Sequence, residues 1–293
     1  MRTVRFIGPG RAGRSLASAL ASCGWEVAGF LGPGDDVGAA AAGVDVLCIS
    51  TPDDAVAAVA QAVRPEAGTV VMHLSGSLGL EVLSPHPRRA ALHPLVPLPD
   101  PDDGSRRLLG GVTFAVAGDP VVRRIVDSLG GRAVTVADAD RAAYHAAACI
   151  AANHVVALLG QVERVAASVG LPLDAFLDLT RAAVDDVDRL GPRRALTGPA
   201  ARGDWATLAR HGRALAPEER PGYNAGVGLA VRLAAAEAAN DGSLGEVAHR
   251  APPDVEPSAA PALSEGQVDA TPDAPHVRVP GGLVGGAVAA GAV

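Results

Sequence analysis

Short apolar runs rich in valine and isoleucine recur along the first 136 positions: "VRFIG", "EVAGFL", "DVLCIS", "TVVMHLS" and "VTFAVAG", with a last short one at "RAVTV". Between several of them the spacing turns helical and alanine-rich, as at 15–22 and 54–63. Apolar runs bounded by turn residues read as buried strands, and their alternation with helices predicts a mostly parallel sheet covered on both faces. From Asp138 onward the period is helical. "ADRAAYHAAACIAANHVVALLGQVERVAASVG" predicts one long helix ending at Gly170, and "LPLDAFLDLTRAAVDDVDRLG" a second, with Pro172 near its start and Gly191 past its end. "GPRRALTGPAARGD" follows as a loop, after which Asp204 suits the N-cap of a helix over 205–215. A final helix covers roughly 218–240.

Beyond Asn240 the chain is rich in Pro, Gly, Ala and Ser and has no sustained period, so it lacks the apolar content to offset chain entropy. The expected fold class is α/β: a Rossmann-like parallel-sheet domain over 1–137, an all-α substrate and dimerisation domain over 138–240, and a disordered tail over 241–293.

The first strand runs directly into "GPGRAG", which places Gly8, Gly10 and Gly13 as G-x-G-x-x-G at the opening of a helix. Gly8 suits a tight turn, Gly10 a close backbone approach to pyrophosphate, and Gly13 close helix–strand packing. Free N–H groups at the helix start would meet the phosphates, so Pro9, Arg11 and Ala12 join the cofactor-binding candidates. An acid about 20 residues beyond such a loop binds the ribose hydroxyls of NAD. Leu31 or Gly32 stands there instead, with Asp35 and Asp36 arriving late. No arginine follows that strand to take a 2′-phosphate; Arg11 and Arg14 are the nearby cations. NADP(H) is favoured, with NAD(H) left open.

Ligands of such sheets bind outside the carboxyl ends of the strands. That brings in Thr51, Pro52 and Asp53 after the third strand, and Ser75 and Gly76 after "MHL". Asp53 and Asp54 also suit a first helical turn on electrostatic grounds alone. His73 alternates with Leu74, so one of the two is sheet packing.

Tyr144, His145 and Asn153 interrupt an otherwise apolar helix, "AAYHAAACIAANH". At about 100° per residue, His145, Cys149 and Asn153 span roughly 80° and about 12 Å of one side. Facing a cleft, His145 would donate a proton while Asn153 bonds a carbonyl; facing a neighbouring helix, they would simply join the two. His93, before a proline in "LHPL", takes an extended or turn conformation, where a lone histidine is more often structural. Thr197, Gly198 and Arg202 lie on the polar loop, where they would grip a substrate hydroxyl or carboxylate.

Composition narrows the chemistry. The 293 residues include no lysine, so no Schiff base forms on a side chain here. A net charge of −7 without a basic run argues against nucleic acid. Cys23, Cys48 and Cys149 are separated and in apolar contexts, which fits reduced thiols, no metal site and a cytoplasmic protein. The chain opens on a strand without a signal-peptide layout. "SLASALASCGW" is too short to span a membrane, and "HAAACIAANHVVALLGQV" carries two histidines and an asparagine, so a buried helix is expected rather than a span.

"FIGPGRAGRSL", "ISTPDDAV", "HLSGSLG", "ALHPL", "YHAAACIAAN" and "ALTGPAARGD" occur in that order. Together they resemble the bacterial family that joins a Rossmann-like domain to the domain DUF2520, over roughly residues 3–238. The first two motifs are shared with the wider 6-phosphogluconate dehydrogenase-like reductases, among them ketopantoate, pyrroline-5-carboxylate and β-hydroxyacid enzymes. The resemblance implies NAD(P)-linked hydride transfer, a small carbonyl acid such as ketopantoate held between the domains with Tyr144 beside it, His93 as the second candidate proton donor, and a homodimer. It leaves a dinucleotide-binding sensor without turnover, and an imine- or deazaflavin-linked reductase, as alternatives. One position departs from the β-hydroxyacid pattern: Asn153 matches its asparagine, but Cys149 stands where that pattern has lysine.

Overall fold

A computed structural model of the chain describes residues 2–240; the predicted tail lies outside the described residues. Seven strands form one sheet: β1 (Thr3–Ile7), β2 (Glu26–Leu31), β3 (Val46–Ile49), β4 (Val70–His73), β5 (Arg89–Pro94), β6 (Thr113–Gly118) and β7 (Arg132–Thr135), in the order β2-β1-β3-β4-β5-β6-β7. All neighbours pair parallel except β5 with β6. β5 was not expected from the sequence as a strand. Its segment "RAALHP" has an arginine at one end and a His-Pro at the other, which masks a core run of just three apolar residues.

Helices α1 (Arg11–Ser22), α2 (Asp53–Ala62), α3 (Pro101–Leu108) and α4 (Val121–Ser128) accompany the sheet. Alternate strand residues supply two cores, as the two-residue strand period requires. Phe6, Cys48, Met72 and Leu92 pack with Leu16, Leu20, Leu108 and Ile125, while Leu47, Ile49 and Val71 pack with Val56, Ala60 and Leu83. The sheet is thereby buried on both faces, which explains why its strands read as continuous apolar runs. From β1 the chain crosses to β2 on one side and then to β3 on the other. A crevice therefore opens at the carboxyl ends of β1 and β3.

The helical half begins with α5 (Arg141–Cys149), which continues through a π turn (Ile150–His154) into α6 (Val155–Ala167). Next come α7 (Asp174–Leu190), two single turns α8 (Pro192–Ala195) and α9 (Pro199–Arg202), then α10 (Trp205–Ala214) and α11 (Arg220–Asn240). Asp204 caps α10 by accepting the Thr207 N–H at 3.1 Å, as expected. The loop expected over 191–204 is tighter than foreseen, since Pro192 and Pro199 each start a helical turn. Arg164 of α6 makes a forked pair with Glu219, at 2.6 and 3.1 Å, tying α6 to the start of α11.

Unlike the sheet, this half has little core of its own. Among its described residues only Arg141, Ala166 and Glu219 are buried, whereas Val156 is 70% and Leu179 69% exposed. The stretch Asp138–Ala167 is long and apolar enough to cross a membrane, by length and composition, and its most apolar window is not buried within the chain. The expectation of a helix buried in its own chain therefore fails. α5 and the π turn nonetheless line a mostly apolar cleft, which gives His145 and Asn153 a place.

Candidate functional site

The phosphate loop is built by contacts that exclude side chains. Gly8 has φ +97°, and a Cβ there would come within 2.8 Å of the Ser50 carbonyl oxygen and 2.9 Å of the Thr51 nitrogen. Ser50 Oγ donates to the Gly8 carbonyl at 2.7 Å. A Cβ on Gly13 would overlap that same hydroxyl. Gly10 differs: its nearest neighbour would be the Ser50 oxygen at 3.8 Å, so its missing side chain leaves space facing outward. It is also the N-cap of α1 and makes no side-chain cap, and no acid occupies the first turn. The first N–H groups of α1 are thus free for an anion.

The two arginines of this helix divide. Arg14 donates to the Pro9 carbonyl at 2.7 Å and lies over the Phe30 ring, whereas Arg11 reaches the cleft. Asp35 accepts the Gly32 N–H at 2.7 Å and Asp36 the Gly38 N–H at 2.8 Å, so both late acids hold the turn after β2.

At the next two strand ends, Asp53 Oδ2 accepts from Ser75 Oγ at 2.7 Å and Ser77 Oγ at 2.8 Å. Ser75 Oγ in turn accepts the N–H groups of Ser77 and Leu78, both at 3.1 Å. Asp53 and Ser75 therefore shape the loop after β4 and leave Gly76 to face the site. Thr51 Oγ1 is buried, with no hydrogen-bond partner among the described residues. His73 is the sheet-packed member of its pair: it is fully buried, with Nε2 3.2 Å from the Gly79 carbonyl.

Across from Gly76 stand the imidazoles. His93, on β5, places Nδ1 2.6 Å from Tyr144 Oη. Its ring is edge-on to that of His145 with centroids 5.6 Å apart. A Cβ on Gly76 would sit 2.5 Å from His145 Nδ1 and 3.0 Å from His93 Cε1 and Nε2, so only glycine allows both rings this close to the backbone. His145 Nδ1 is buried without a hydrogen-bond partner among the described residues, and its Nε2 lies 3.6 Å from Cys149 Sγ. A cleft of about 660 Å³ extends from His93 and His145 to Arg11 at the start of α1, lined among others by Cys149 and Asn153. The π turn contributes to that grouping. In a regular α-helix each step of four residues drifts about 40° around the axis; a π turn closes from i to i+5, takes more residues per turn, and so takes back drift at Asn153. Thr197, Gly198 and Arg202 do not line the cleft.

Sequence reasoning missed Arg141. Its side chain is wholly buried, with Nε 3.4 Å from Asp138 Oδ1 and Nη1 3.5 Å from the Ser75 carbonyl. Nε and Nη2 have no hydrogen-bond partner among the described residues. Asp138 Oδ2 also accepts the Leu80 N–H at 2.8 Å, joining the start of the helical half to the loop after β4. The available signal was position: Arg141 stands one helical turn before Tyr144, on the same side.

Burial, then the charges of His145 and Arg141, push His93 down to about 4, against the opposing influence of Asp53. Burial raises Tyr144 to about 12, with Arg141 pulling the other way. Burial also lowers His73, partly countered by its bond to Gly79. Between pH 6.5 and 4 the unfolded chain therefore carries a proton on His93 that the folded chain refuses, so this contribution to stability is complete above pH 6.5 and is lost on acidification toward 4. The urea midpoint is expected to fall across that window, and His93→Gln to fall less steeply. Identical slopes would show that His93 is not held neutral.

Comparisons with known proteins agree with the fold. Residues 111–227 match the family model for the domain of unknown function DUF2520. The described architecture is shared with solved Rossmann-like structures: a Bacteroides fragilis protein provisionally assigned as an NADP oxidoreductase superposes with a TM-score of 0.66 at 19% identity, covering 79% of this chain and 98% of its own. A Thermotoga maritima protein gives 0.62 at 23%, covering 80% and 99%. Plasmodium falciparum pyrroline carboxylate reductase, solved with NADP bound, gives 0.53 at 13%, covering 80% and 98%. No curated protein sequence matches the chain.

Proposed function

We propose that this chain is an NADP(H)-dependent reductase of a small carbonyl acid, with ketopantoate as the first substrate to test. The observation that carries the reading is one continuous cleft joining the uncapped start of α1 and Arg11 to His93 and His145. These residues fit a dinucleotide: Gly10 leaves room for a pyrophosphate, the α1 N–H groups and Arg11 supply positive potential, and Thr51 Oγ1 lacks a partner. The absence of a free acid after β2 favours a 2′-phosphate. A reduced nicotinamide bound there supplies hydride. The chain's own residues hold the substrate oxygen, through His145 and Asn153, and provide a proton. Relatives in fold support the reading, since pyrroline carboxylate reductase and an Aspergillus terreus reductive aminase were solved with NADP or NADPH.

A second reading is reduction of a C=N group. It is favoured by His93 being neutral near pH 7, because an iminium carries its proton already. The exposed apolar residues of α6 and α7 support a homodimer in which a second copy covers them.

The test is loss of reduced-nicotinamide absorbance on mixing the purified protein with ketopantoate and NADPH or NADH, beside fluorescence titration of each dinucleotide. Turnover with NADPH is expected, and Arg11→Ala is expected to weaken both dinucleotides about tenfold (about 1.4 kcal/mol). Tight binding with no turnover on carbonyl acids or imines would instead favour a sensor.

A further inference from the structure

We propose that the site's proton comes from Tyr144 by way of His93, with the buried Arg141, one helical turn before Tyr144, as a positioning charge. The proposal rests on the reductase reading above. Its basis is the use of each nitrogen of one ring. His93 Nδ1 is taken by Tyr144 Oη at 2.6 Å, which leaves Nε2 as the nitrogen turned toward Gly76 and the cleft. Because position 76 has no side chain, that nitrogen stays uncovered. A neutral imidazole gives up its one proton cheaply only if another proton replaces it at the opposite nitrogen, and a short O–H···N bond to Tyr144 provides it.

Arg141 supplies the electrostatic part. It is wholly buried one helical turn before Tyr144, and its ion pair with Asp138 is long, 3.4 Å from Nε, on a carboxylate shared with the Leu80 N–H. Positive charge so weakly paired in a dry place disfavours an imidazolium and favours an anion. It acts in those directions on His93 and on Tyr144. The chain's other tyrosine shows what a bare pair looks like: Tyr223 Oη lies 2.7 Å from His211 Nδ1, but that contact is exposed.

The balance is simple. A carbonyl carbon that accepts hydride, two electrons from reduced nicotinamide, leaves its π pair on oxygen. That oxygen takes the Nε2 proton of His93 as the N–H bond breaks. Nδ1 takes the Tyr144 proton, and the O–H pair remains on the phenolate, which the nearby positive charge of Arg141 favours. After the alcohol leaves, water returns a proton to Nε2 while the Nδ1 proton goes back to Tyr144.

The experiment pairs nitrogen-15 NMR of the histidine rings in the ligand-free protein with steady-state kinetics of Tyr144→Phe, His93→Ala and the double variant. In the wild type His93 is expected as the Nε2–H tautomer with Nδ1 accepting, and Tyr144→Phe is expected to shift the Nδ1 resonance. Tyr144→Phe is expected to lower kcat about 100-fold with KM little changed. The double variant should be no slower than His93→Ala, since both act in one path. An Nδ1–H tautomer in the wild type, an unchanged kcat in Tyr144→Phe, or losses that multiply in the double variant would each overturn the relay while leaving the reductase standing. Absence of turnover on every carbonyl and imine tested would remove the reductase reading, and the relay with it.

Discussion

Gly8→Ala and Gly10→Ala, two residues apart in one loop, are expected to fail in opposite ways. At Gly8 an added methyl meets the Ser50 carbonyl and Thr51 nitrogen, both backbone atoms within 3.0 Å, at a φ of +97°. Left-handed backbone costs an L-residue roughly 1–2 kcal/mol, and overpacking against atoms that cannot swing aside adds about 1–3 kcal/mol. Gly8→Ala should therefore lose about 3–4 kcal/mol of stability, a fall in Tm of about 10 °C. Gly10 has φ −73° and no atom closer than 3.8 Å to the added carbon. Gly10→Ala should keep the wild-type melting curve and yet bind dinucleotide at least about tenfold more weakly, because only a ligand occupies that space. Calorimetry with fluorescence titration separates the two. Unchanged affinity in Gly10→Ala would place the dinucleotide elsewhere.

The second large effect concerns Arg141. A wholly buried guanidinium with two unpartnered nitrogens is a costly thing to keep in a fold, and an apolar side chain of similar size at such a site is commonly neutral or stabilising. Arg141→Met should therefore melt at or above the wild-type temperature, since Asp138 is half-exposed and left in water rather than stranded. Arg141→Ala, which leaves a cavity, should lose about 2–4 kcal/mol. Turnover should move the other way from stability. Without the buried charge the His93 pKa rises and the Tyr144 pKa rises with it, and kcat in Arg141→Met is expected to drop about 100-fold (about 2.7 kcal/mol). A methionine variant that is both less stable and fully active would show Arg141 to be a structural anchor only. NMR titration of His93 in the same variant reads the electrostatic effect without turnover.

The parts of this site that were legible in the sequence are those where a local rule dictates a residue type. Gly8, Gly10 and Gly13 are specified by the turn and the helix opening, and Asp204 by an orphan N–H in the helix it starts. His145 and Asn153 stood out because polar groups in an alanine helix need partners. Arg141 did not stand out, since an arginine near a helix start usually reads as a solvated surface charge. Asp53 and Ser75 were found as ligand-site candidates and turn out to bond each other, which shapes the loop for Gly76. Thr197, Gly198 and Arg202 had the right chemistry and the right loop, but the fold keeps them out of the cleft.

The sequence by itself determined the alternating layers, the change of period at Asp138, the glycine turn into α1 and the absence of any lysine, because each is carried by neighbours within a few turns or a single strand. Only the tertiary structure decided that β5 joins the sheet and turns antiparallel to β6, and that His93 meets Tyr144 fifty-one residues later in the chain. It also decided that a π turn keeps Asn153 with His145 in one cleft, and that Arg141 is buried rather than wet. Those features depend on contacts between segments far apart in the chain and on the water such contacts exclude, and no local pattern of residues encodes either one.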